Sequence, residues 1–328
     1  MGVGMAITGC GSAAPESVLT NDHLAQMVDT SDEWINARTG MKNRHIASPG
    51  ESLSQLAAIA SQQAIAMAGI SATDIDLIVL ATSTPDDMFG SACRIQGLIG
   101  ANNAVAFDLT AACSGFLFGL VTASQFIGGG MYKNVLVIGA DLLSRWVDWS
   151  DRTSCILFGD GAGAVVCRAT ENNGLLSCGM YSNGSQNGSL NLNYQCDGNV
   201  LVDNITAQQG SYNPITMNGR EVYRFAVARV PEAISKAMFQ ASVTADDIDW
   251  LLLHQANQRI MDAVAKRLKI PAAKILSNIA EYGNTSAASI PLSLDAAVRD
   301  GRVKPGDTIA ASGFGAGLTW GAAIFKWG

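Results

Sequence analysis

Charge is scarce in this sequence. Charged residues make up 15% of its 328 residues, against the ~25% usual in soluble domains. So thinly charged a surface is expected to be partly hidden in a subunit interface, most simply that of a homodimer. Basic residues are fewer than acidic ones, and the formal charge is -7, so a nucleic-acid partner, which needs a basic face, is not expected. Long apolar runs are also missing. No stretch approaches the ~18 apolar residues of a membrane span and no charged-then-apolar leader opens the chain, which points to a cytoplasmic protein with no membrane partner. The seven cysteines, Cys10, Cys93, Cys113, Cys155, Cys167, Cys178 and Cys196, show no short paired spacing. They read as reduced thiols, and no metal site is expected.

Histidine is rarer still. His23 and His45 lie in the first 50 residues, so any imidazole work in the second half falls to His254, in LLLHQANQ (251–258). A lone histidine beside an apolar strand is either a satisfied core residue or an acid-base and hydrogen-bonding group, and the stretch alone leaves both open.

Apolar residues are plentiful, at 48%, enough for a large core without staples. Their pattern repeats. ISATDIDLIVLATS (70–83) has an echo in VTADDIDWLLLHQA (243–256), and the same offset of 173 residues carries KNVLVIGAD (133–141) onto GDTIAASGF (306–314). Two matches at one offset indicate duplication. Continuous apolar strands alternating with helical patterns indicate sheets covered by helices on both faces. The expected fold is therefore α/β, in two pseudo-symmetric halves, 1–172 and 173–328. The Asn-, Ser- and Gly-rich stretch 181–199 reads as a surface excursion.

In AVAFDLTAACSGFLFGLVTAS (104–124) an apolar strand passes into a helix through Cys113. A thiol at such a turn faces unpaired helix N–H groups and the positive end of the helix dipole, which lower its pKa and favour the thiolate. Cys10, Cys167 and Cys178 read instead as small buried thiols. Adding 173 to Cys113 lands on Ser286, two residues beyond Asn284 in EYGNTSAASIPL (281–292). The turns bearing Cys113 and Asn284 are thus expected to be symmetry mates, with His254 at the end of the strand before the second. GCGSAA (9–14) fits a dinucleotide fingerprint, but Pro15 follows where a helix should continue, so it reads as a turn. GFGAGLTWG (313–321) is either a tight strand connection or, beside a thiolate, an oxyanion hole.

TAACSGF (110–116), LLLHQAN (251–257), EYGNTSAASIP (281–291) and GFGAGLTWG (313–321) together resemble the thiolase superfamily, and within it β-ketoacyl-acyl carrier protein synthase III. The resemblance runs from the first strand to the last residue and is weakest over 181–215. Late second histidines or cysteines, which the elongating synthases and degradative thiolases would need, are lacking. It implies a thiolase-like fold layered αβαβα and an acyltransferase that initiates fatty acid biosynthesis, with no cofactor beyond its acyl-CoA substrate. It implies that Cys113 takes an acyl group from coenzyme A, and that His254 and Asn284 stabilise the enolate formed from malonyl-acyl carrier protein in a Claisen condensation. The backbone N–H groups of Cys113 and Ala316 would form the oxyanion hole.

The same resemblance makes Trp34 and Arg152 the pair that sandwiches the adenine of CoA, with Arg38 near its phosphates. A cation at the C-terminus of the helix in DTSDEWINARTG (29–40) would explain Arg38 equally well. Gly219, Tyr223 and Asn257 would line the pantetheine channel, and Met88 or Phe89 would cap the acyl pocket of the neighbouring subunit. In QANQRIMDAVAKRLKI (255–270), Ile260, Met261, Val264 and Leu268 are expected to be buried, leaving Arg259, Lys266 and Arg267 as a basic strip. The strip is a solvated face or the docking site of acyl carrier protein. Cys, His and Asn in this order also occur in papain-like hydrolases, but the duplicated α/β pattern counts against that rival, and retention of all three polar residues with the glycine loop counts against a non-catalytic scaffold. A condensing enzyme of secondary metabolism with another acyl starter is the nearer alternative.

Overall fold

The structure, a computed structural model, describes residues 4–328. Two five-stranded sheets organise it. The first is built from β1 (Gly4–Ala13), β2 (Leu77–Ala81), β3 (Val105–Leu109), β4 (Asn134–Leu142) and β5 (Asp160–Thr170), in the order β1-β5-β4-β2-β3. The second is built from β6 (Leu175–Ser182), β7 (Trp250–Leu253), β8 (Ile275–Leu276), β9 (Thr308–Gly315) and β10 (Thr319–Lys326), in the order β6-β10-β9-β7-β8. Strand directions repeat as well. In each sheet three neighbouring strands pair in parallel and the last two pairings are antiparallel, so that only β5 in the first and β10 in the second run against the rest.

The repeat seen in the sequence is this duplication, and its polar details recur. Asp76 Oδ2 accepts from Asn134 N at 2.9 Å, and Asp249 Oδ2 accepts from Thr308 N at 2.8 Å. The register lengthens by one residue along the way: Leu77 faces Val135 in one sheet, whereas Trp250 faces Ile309 in the other.

Two helices fill the space between the sheets, α3 (Gly115–Gly128) and α6 (Ser289–Arg299), and each packs against strands of both halves. For α3 the sequence explains the position, because a helix that is apolar nearly all round must be covered on every side. Helix α6 instead buries Asp295, which pairs with Arg299 at 2.8 Å and accepts from Ser12 Oγ at 2.6 Å. Phe116, Leu117 and Leu120 of α3 join Ile290 and Leu294 of α6 in one core with Val79 and Val137 of the first sheet and Leu252 and Ile309 of the second. Burial of each such side chain is worth roughly 1.5–3 kcal/mol. Gly139 in β4 lets α6 approach, since a Cβ there would lie 2.2 Å from the Ala287 carbonyl oxygen. Outside the sheets lie α2 (Leu53–Met67) on the first and α4 (Gly219–Ala241) on the second, with α5 (Gln258–Leu268) against α4. The layers are therefore αβαβα.

Two expectations are corrected. GCGSAA is not a turn: all but Ala14 of it is the end of β1, laid directly on α2. The excursion after β6 is only partly a surface feature. Strands 194–202 and 205–212 form an exposed hairpin, but Leu190, Asn191, Leu192, Tyr212 and Ile215 fold back to wall a cavity inside the protein.

Candidate active site

Each central helix is entered through one tight turn, residues 112–114 before α3 and 286–288 before α6. Both turns contain a non-glycine residue in the left-handed region, Ala112 with φ 46° and Ser286 with φ 52°. Such a backbone costs on the order of 1 kcal/mol and is held only where surroundings enforce it. The matching distortion fixes the correspondence: Ala112 is the mate of Ser286, and Cys113 that of Ala287. The turns are symmetry mates as expected, one residue out of the register read from sequence, because the extra residue between the paired strands is carried into them.

Cys113 lies where two cavities meet. One, of about 630 Å³, is mostly apolar and is walled by Leu143, Trp146, Phe158, Leu192 and Ile215 among others. The other, of about 130 Å³, is lined by Cys113, His254 and Asn284 together with Gly219, Tyr223 and Asn257. Cys113 is thus brought to His254 and Asn284, which lie 141 and 171 positions further along the sequence, by the two turns and by the end of β7.

Hydrogen bonds set what the two polar side chains can offer. Ser286 N donates to Asn284 Oδ1 at 2.9 Å. Since a backbone N–H can only donate, the amide orientation is settled and the Asn284 NH₂ group remains a donor. His254 Nδ1 is 2.7 Å from Ser289 Oγ, which also accepts from Gln255 N at 3.3 Å. Among the described residues Nδ1 is the only acceptor within reach of the Ser289 hydroxyl proton, so the hydroxyl donates to Nδ1 and the ring proton sits on Nε2. Burial lowers the His254 pKa to about 3, so the ring is neutral at pH 7.

The thiol contradicts the sequence expectation. Burial pushes the Cys113 pKa up to about 12, and the Asp141 charge adds to this, against lowering by the Ser286 hydroxyl and the cysteine's own N–H. The α-helix proper begins only at Gly115, two residues past the sulfur, so its dipole acts from further away than a cysteine in its first turn would feel. At rest, Cys113 is a thiol.

Two further contacts hold the turns. Buried Asp141 accepts from Ser83 N at 2.8 Å, Thr84 Oγ1 at 2.9 Å and Ala287 N at 3.2 Å; burial raises its pKa and these bonds oppose the rise. Thr319 Oγ1 lies 3.1 Å from the Ala111 carbonyl and 3.0 Å from that of Ala316, tying the glycine loop to the cysteine turn. Gly315 permits the approach, as a Cβ there would be 2.6 Å from Cys113 N. Sequence reasoning gave no role to Asp141, Ser289 or Thr319. Ser289 and Thr319 lay inside motifs that it singled out, and Asp141 closes the repeated stretch 133–141.

Trp34, Arg38, Arg152, Arg259, Lys266 and Arg267 line neither cavity. Ser31 caps α1 (Asp32–Thr39) by accepting from Trp34 N at 3.2 Å, and Gly40 ends it with φ 79°. Arg38 stands over the Trp34 ring at 4.3 Å and Arg152 at 5.0 Å. Arg152 Nη1 also donates to the Asp29 carbonyl at 2.8 Å. Helix α5 starts at Gln258 rather than 255, because Asn257 is its N-cap and accepts from Arg259 N at 2.9 Å. Ile260, Met261, Val264 and Leu268 are buried as expected, while Arg259, Lys266 and Arg267 are exposed. Arg267 also donates to the Val227 carbonyl at 3.0 Å. Met88 lines the larger cavity of its own chain, whereas Phe89 is fully exposed. Among the described residues no cluster of His, Cys, Asp or Glu is placed to hold a metal, and no helix is long and apolar enough to cross a membrane.

A duplicated αβαβα fold with a cysteine at the head of one central helix, facing a histidine and an asparagine from the other half, defines a thiolase-fold condensing enzyme. Residues 107–184 match the family model described as 3-Oxoacyl-[acyl-carrier-protein (ACP)] synthase III, and residues 238–327 match that of its C-terminal part. A β-ketoacyl-[acyl-carrier-protein] synthase III of Acaryochloris marina is 66% identical over 327 residues, covering 100% of this chain and 98% of the relative. That of Synechococcus elongatus is 62% identical, over 100% and 98%. The crystal structure of 3-oxoacyl-[acyl-carrier-protein] synthase III from Aquifex aeolicus aligns with a TM-score of 0.91 at 44% identity, over 99% of this chain and 100% of that one. The chain belongs to the 3-oxoacyl-[acyl-carrier-protein] synthase III family.

Proposed function

We propose that Cys113, His254 and Asn284 carry the two half-reactions of the condensation that initiates fatty acid synthesis. The chain is an acyl-transferring condensing enzyme, as its full-length relatives are named. The observation that carries the residue assignment is the convergence of a thiol with two side chains whose hydrogen bonds leave each an N–H to donate.

In the first half-reaction Cys113 Sγ attacks the thioester carbonyl of an acyl-CoA, acetyl-CoA in the simplest case. The S–C bond to CoA breaks, and the thiol proton ends on the CoA sulfur. The tetrahedral oxyanion is held by the N–H groups of Cys113 and Ala316, which Thr319 keeps together. In the second, malonyl-acyl carrier protein loses carbon dioxide, and the electron pair of the broken C–C bond becomes an enolate whose oxygen takes hydrogen bonds from His254 and Asn284. The enolate carbon attacks the acyl-cysteine, β-ketoacyl-acyl carrier protein leaves, and the thiolate takes up a proton. A neutral histidine suits this role, because a donor to an enolate needs an N–H and not a charge.

The narrower cavity, with Gly219, Tyr223 and Asn257, suits the pantetheine arm, and Trp34 with Arg38 and Arg152 over its ring suits the nucleotide. Exposed Arg259, Lys266 and Arg267 form a surface for the acidic carrier protein. The enzyme works in the cytoplasm as a homodimer of halves divided at 172 and 173, without a metal or bound cofactor and without nucleic-acid or membrane partners. Support for the dimer comes from β3, an edge strand with Val105 exposed, beside fully exposed Phe89, since such edges are normally covered. Phe89, and not Met88, then reaches the neighbour's acyl pocket. Mass spectrometry of the product from acetyl-CoA and malonyl-acyl carrier protein tests the reading: acetoacetyl-acyl carrier protein supports it, and free acetate or an inert mixture contradicts it.

A further inference from the structure

Arg44 is wholly buried, and among the described residues it forms no ion pair. A buried cation without a carboxylate partner is a poor source of stability, because its desolvation is repaid only through hydrogen bonds. Its donors are instead concentrated on one carbonyl. Nε donates to Ile156 O at 2.8 Å and Nη2 donates to the same oxygen. Nη1 donates to Asn21 Oδ1 and, at 3.3 Å, to Lys42 O. Asn21 in turn donates from Nδ2 to Asp32 Oδ1 at 2.7 Å and to Met41 O at 2.9 Å.

The carbonyl so held lies in the segment that grips Asn284. Asn284 N donates to Leu157 O at 2.9 Å, and Gly159 N donates to Asn284 O at 3.0 Å. On the other side, a Cβ at Gly283 would lie 3.2 Å from Arg44 Cγ and 2.8 Å from Leu157 O, so the arginine stem packs directly beneath the residue before Asn284. The guanidinium fork is rigid and planar, and it meets Ile156 O with two donors at once, which a lysine cannot do.

We propose that Arg44 is a positioning residue for decarboxylation: it fixes residues 156–159, and through them the backbone of Asn284, at the distance where the amide N–H meets the developing enolate. The inference rests on the assignment of Asn284 as an enolate donor. Nothing in this arrangement hydrogen-bonds to Cys113 N or Ala316, and its one link to the acyl site is the Phe158 side chain in the cavity wall, so acyl loading depends on it far less than decarboxylation does.

The test uses the full-length enzyme in single turnover, following acyl loading by protein mass and then carbon dioxide release at saturating malonyl-acyl carrier protein. Arg44→Lys should load at within about twofold of the parent rate and release carbon dioxide at least about 10-fold more slowly, as displacements of well under 1 Å at a reacting centre do. Because both changes act on one group, Arg44→Lys/Asn284→Ala should be no slower than Asn284→Ala alone. Equal losses in both half-reactions, or additive losses in the double variant, would show a merely structural role and overturn the proposal. Should Arg44→Lys not fold, Asn21→Ala, which loosens the guanidinium from one side, should show the same split at about threefold; an even slowing, or none, contradicts it. Normal carbon dioxide release by Asn284→Ala alone would remove the assignment of Asn284 itself.

Discussion

Ser289 Oγ and His254 Nδ1 are 2.7 Å apart in a buried site, and this one contact decides which nitrogen of the ring carries the proton. Without the hydroxyl, Nδ1 loses its donor and the two neutral tautomers become competitive. Ser289→Ala should therefore slow carbon dioxide release from malonyl-acyl carrier protein by about 10-fold, the lower end of the range for loss of a group that orients a functional histidine. Loading from acyl-CoA should stay close to normal. Rapid-quench measurement of the two half-reactions separates these outcomes, and equal slowing of both would contradict the tautomer argument.

The thiol and the imidazole should also be visible in pH dependence. Since burial raises the Cys113 pKa to about 12, alkylation by a small neutral reagent should quicken about tenfold per pH unit from neutral into the alkaline range without levelling off, because only the thiolate reacts. A plateau near neutral pH would reveal a preformed thiolate.

For His254 the sign runs the other way. The unfolded ring takes up a proton near 6.5, the folded one only near 3. Between those values the unfolded chain binds more protons, so stability is lost as pH falls through the window, by at most about 1.4 kcal/mol per unit. Thermal unfolding of His254→Gln should therefore depend less steeply on pH than that of the parent over this interval. Parallel curves would mean that the ring is not held neutral.

Arg152 sits 5.0 Å from the Trp34 ring centroid, too close for a base to enter between them, as two contacts of ~3.5 Å each are needed. On the proposed adenine site, nucleotide binding moves the guanidinium away from the ring. Arg152→Ala should raise the KM for acyl-CoA several-fold with little effect on that for malonyl-acyl carrier protein, and CoA binding should change Trp34 fluorescence in parent and variant alike. No fluorescence change would place the adenine elsewhere.

Arg259 lies in the first turn of α5, where a cation is disfavoured by ~0.3–1 kcal/mol, and its side chain is exposed. Arg259→Glu should raise the KM for malonyl-acyl carrier protein about 10-fold, more at low salt, and leave that for acyl-CoA nearly unchanged. Arg267 is a less clean probe because it also binds the Val227 carbonyl. Equal effects of Arg259→Glu on both substrates would assign it to structure.

The duplication, the strand-to-turn-to-helix setting of Cys113 and the buried face of α5 were legible because apolar periodicity is written locally in the chain. The one-residue slip between Cys113 and Ser286 was not, since a loop absorbs an extra residue without disturbing the strands on either side. Nor was the role of Leu192, which lies in the Asn-, Ser- and Gly-rich stretch 181–199 read as a surface excursion, while the path of the chain returns it to the cavity. Arg44 and Asp141 carried no sequence signal of their roles. Their partners, Ile156 for one and Ala287 for the other, are far along the chain, and a buried polar group satisfied at long range leaves no periodicity. The elevated Cys113 pKa was missed for a related reason: position at a helix entrance is readable, whereas the depth of burial that opposes it depends on both halves.

The central claim is that His254 and Asn284 serve the second half-reaction and not the first. The most direct measurement is a single-turnover experiment on His254→Ala and Asn284→Ala: each protein is mixed with acyl-CoA and weighed, then given malonyl-acyl carrier protein while carbon dioxide is followed. Both variants should acquire the acyl mass at a measurable rate and release carbon dioxide ~10²–10³-fold more slowly than the parent, the loss typical of one oxyanion donor. Failure of both variants already at acyl loading would make His254 an obligatory base for Cys113 and contradict the account.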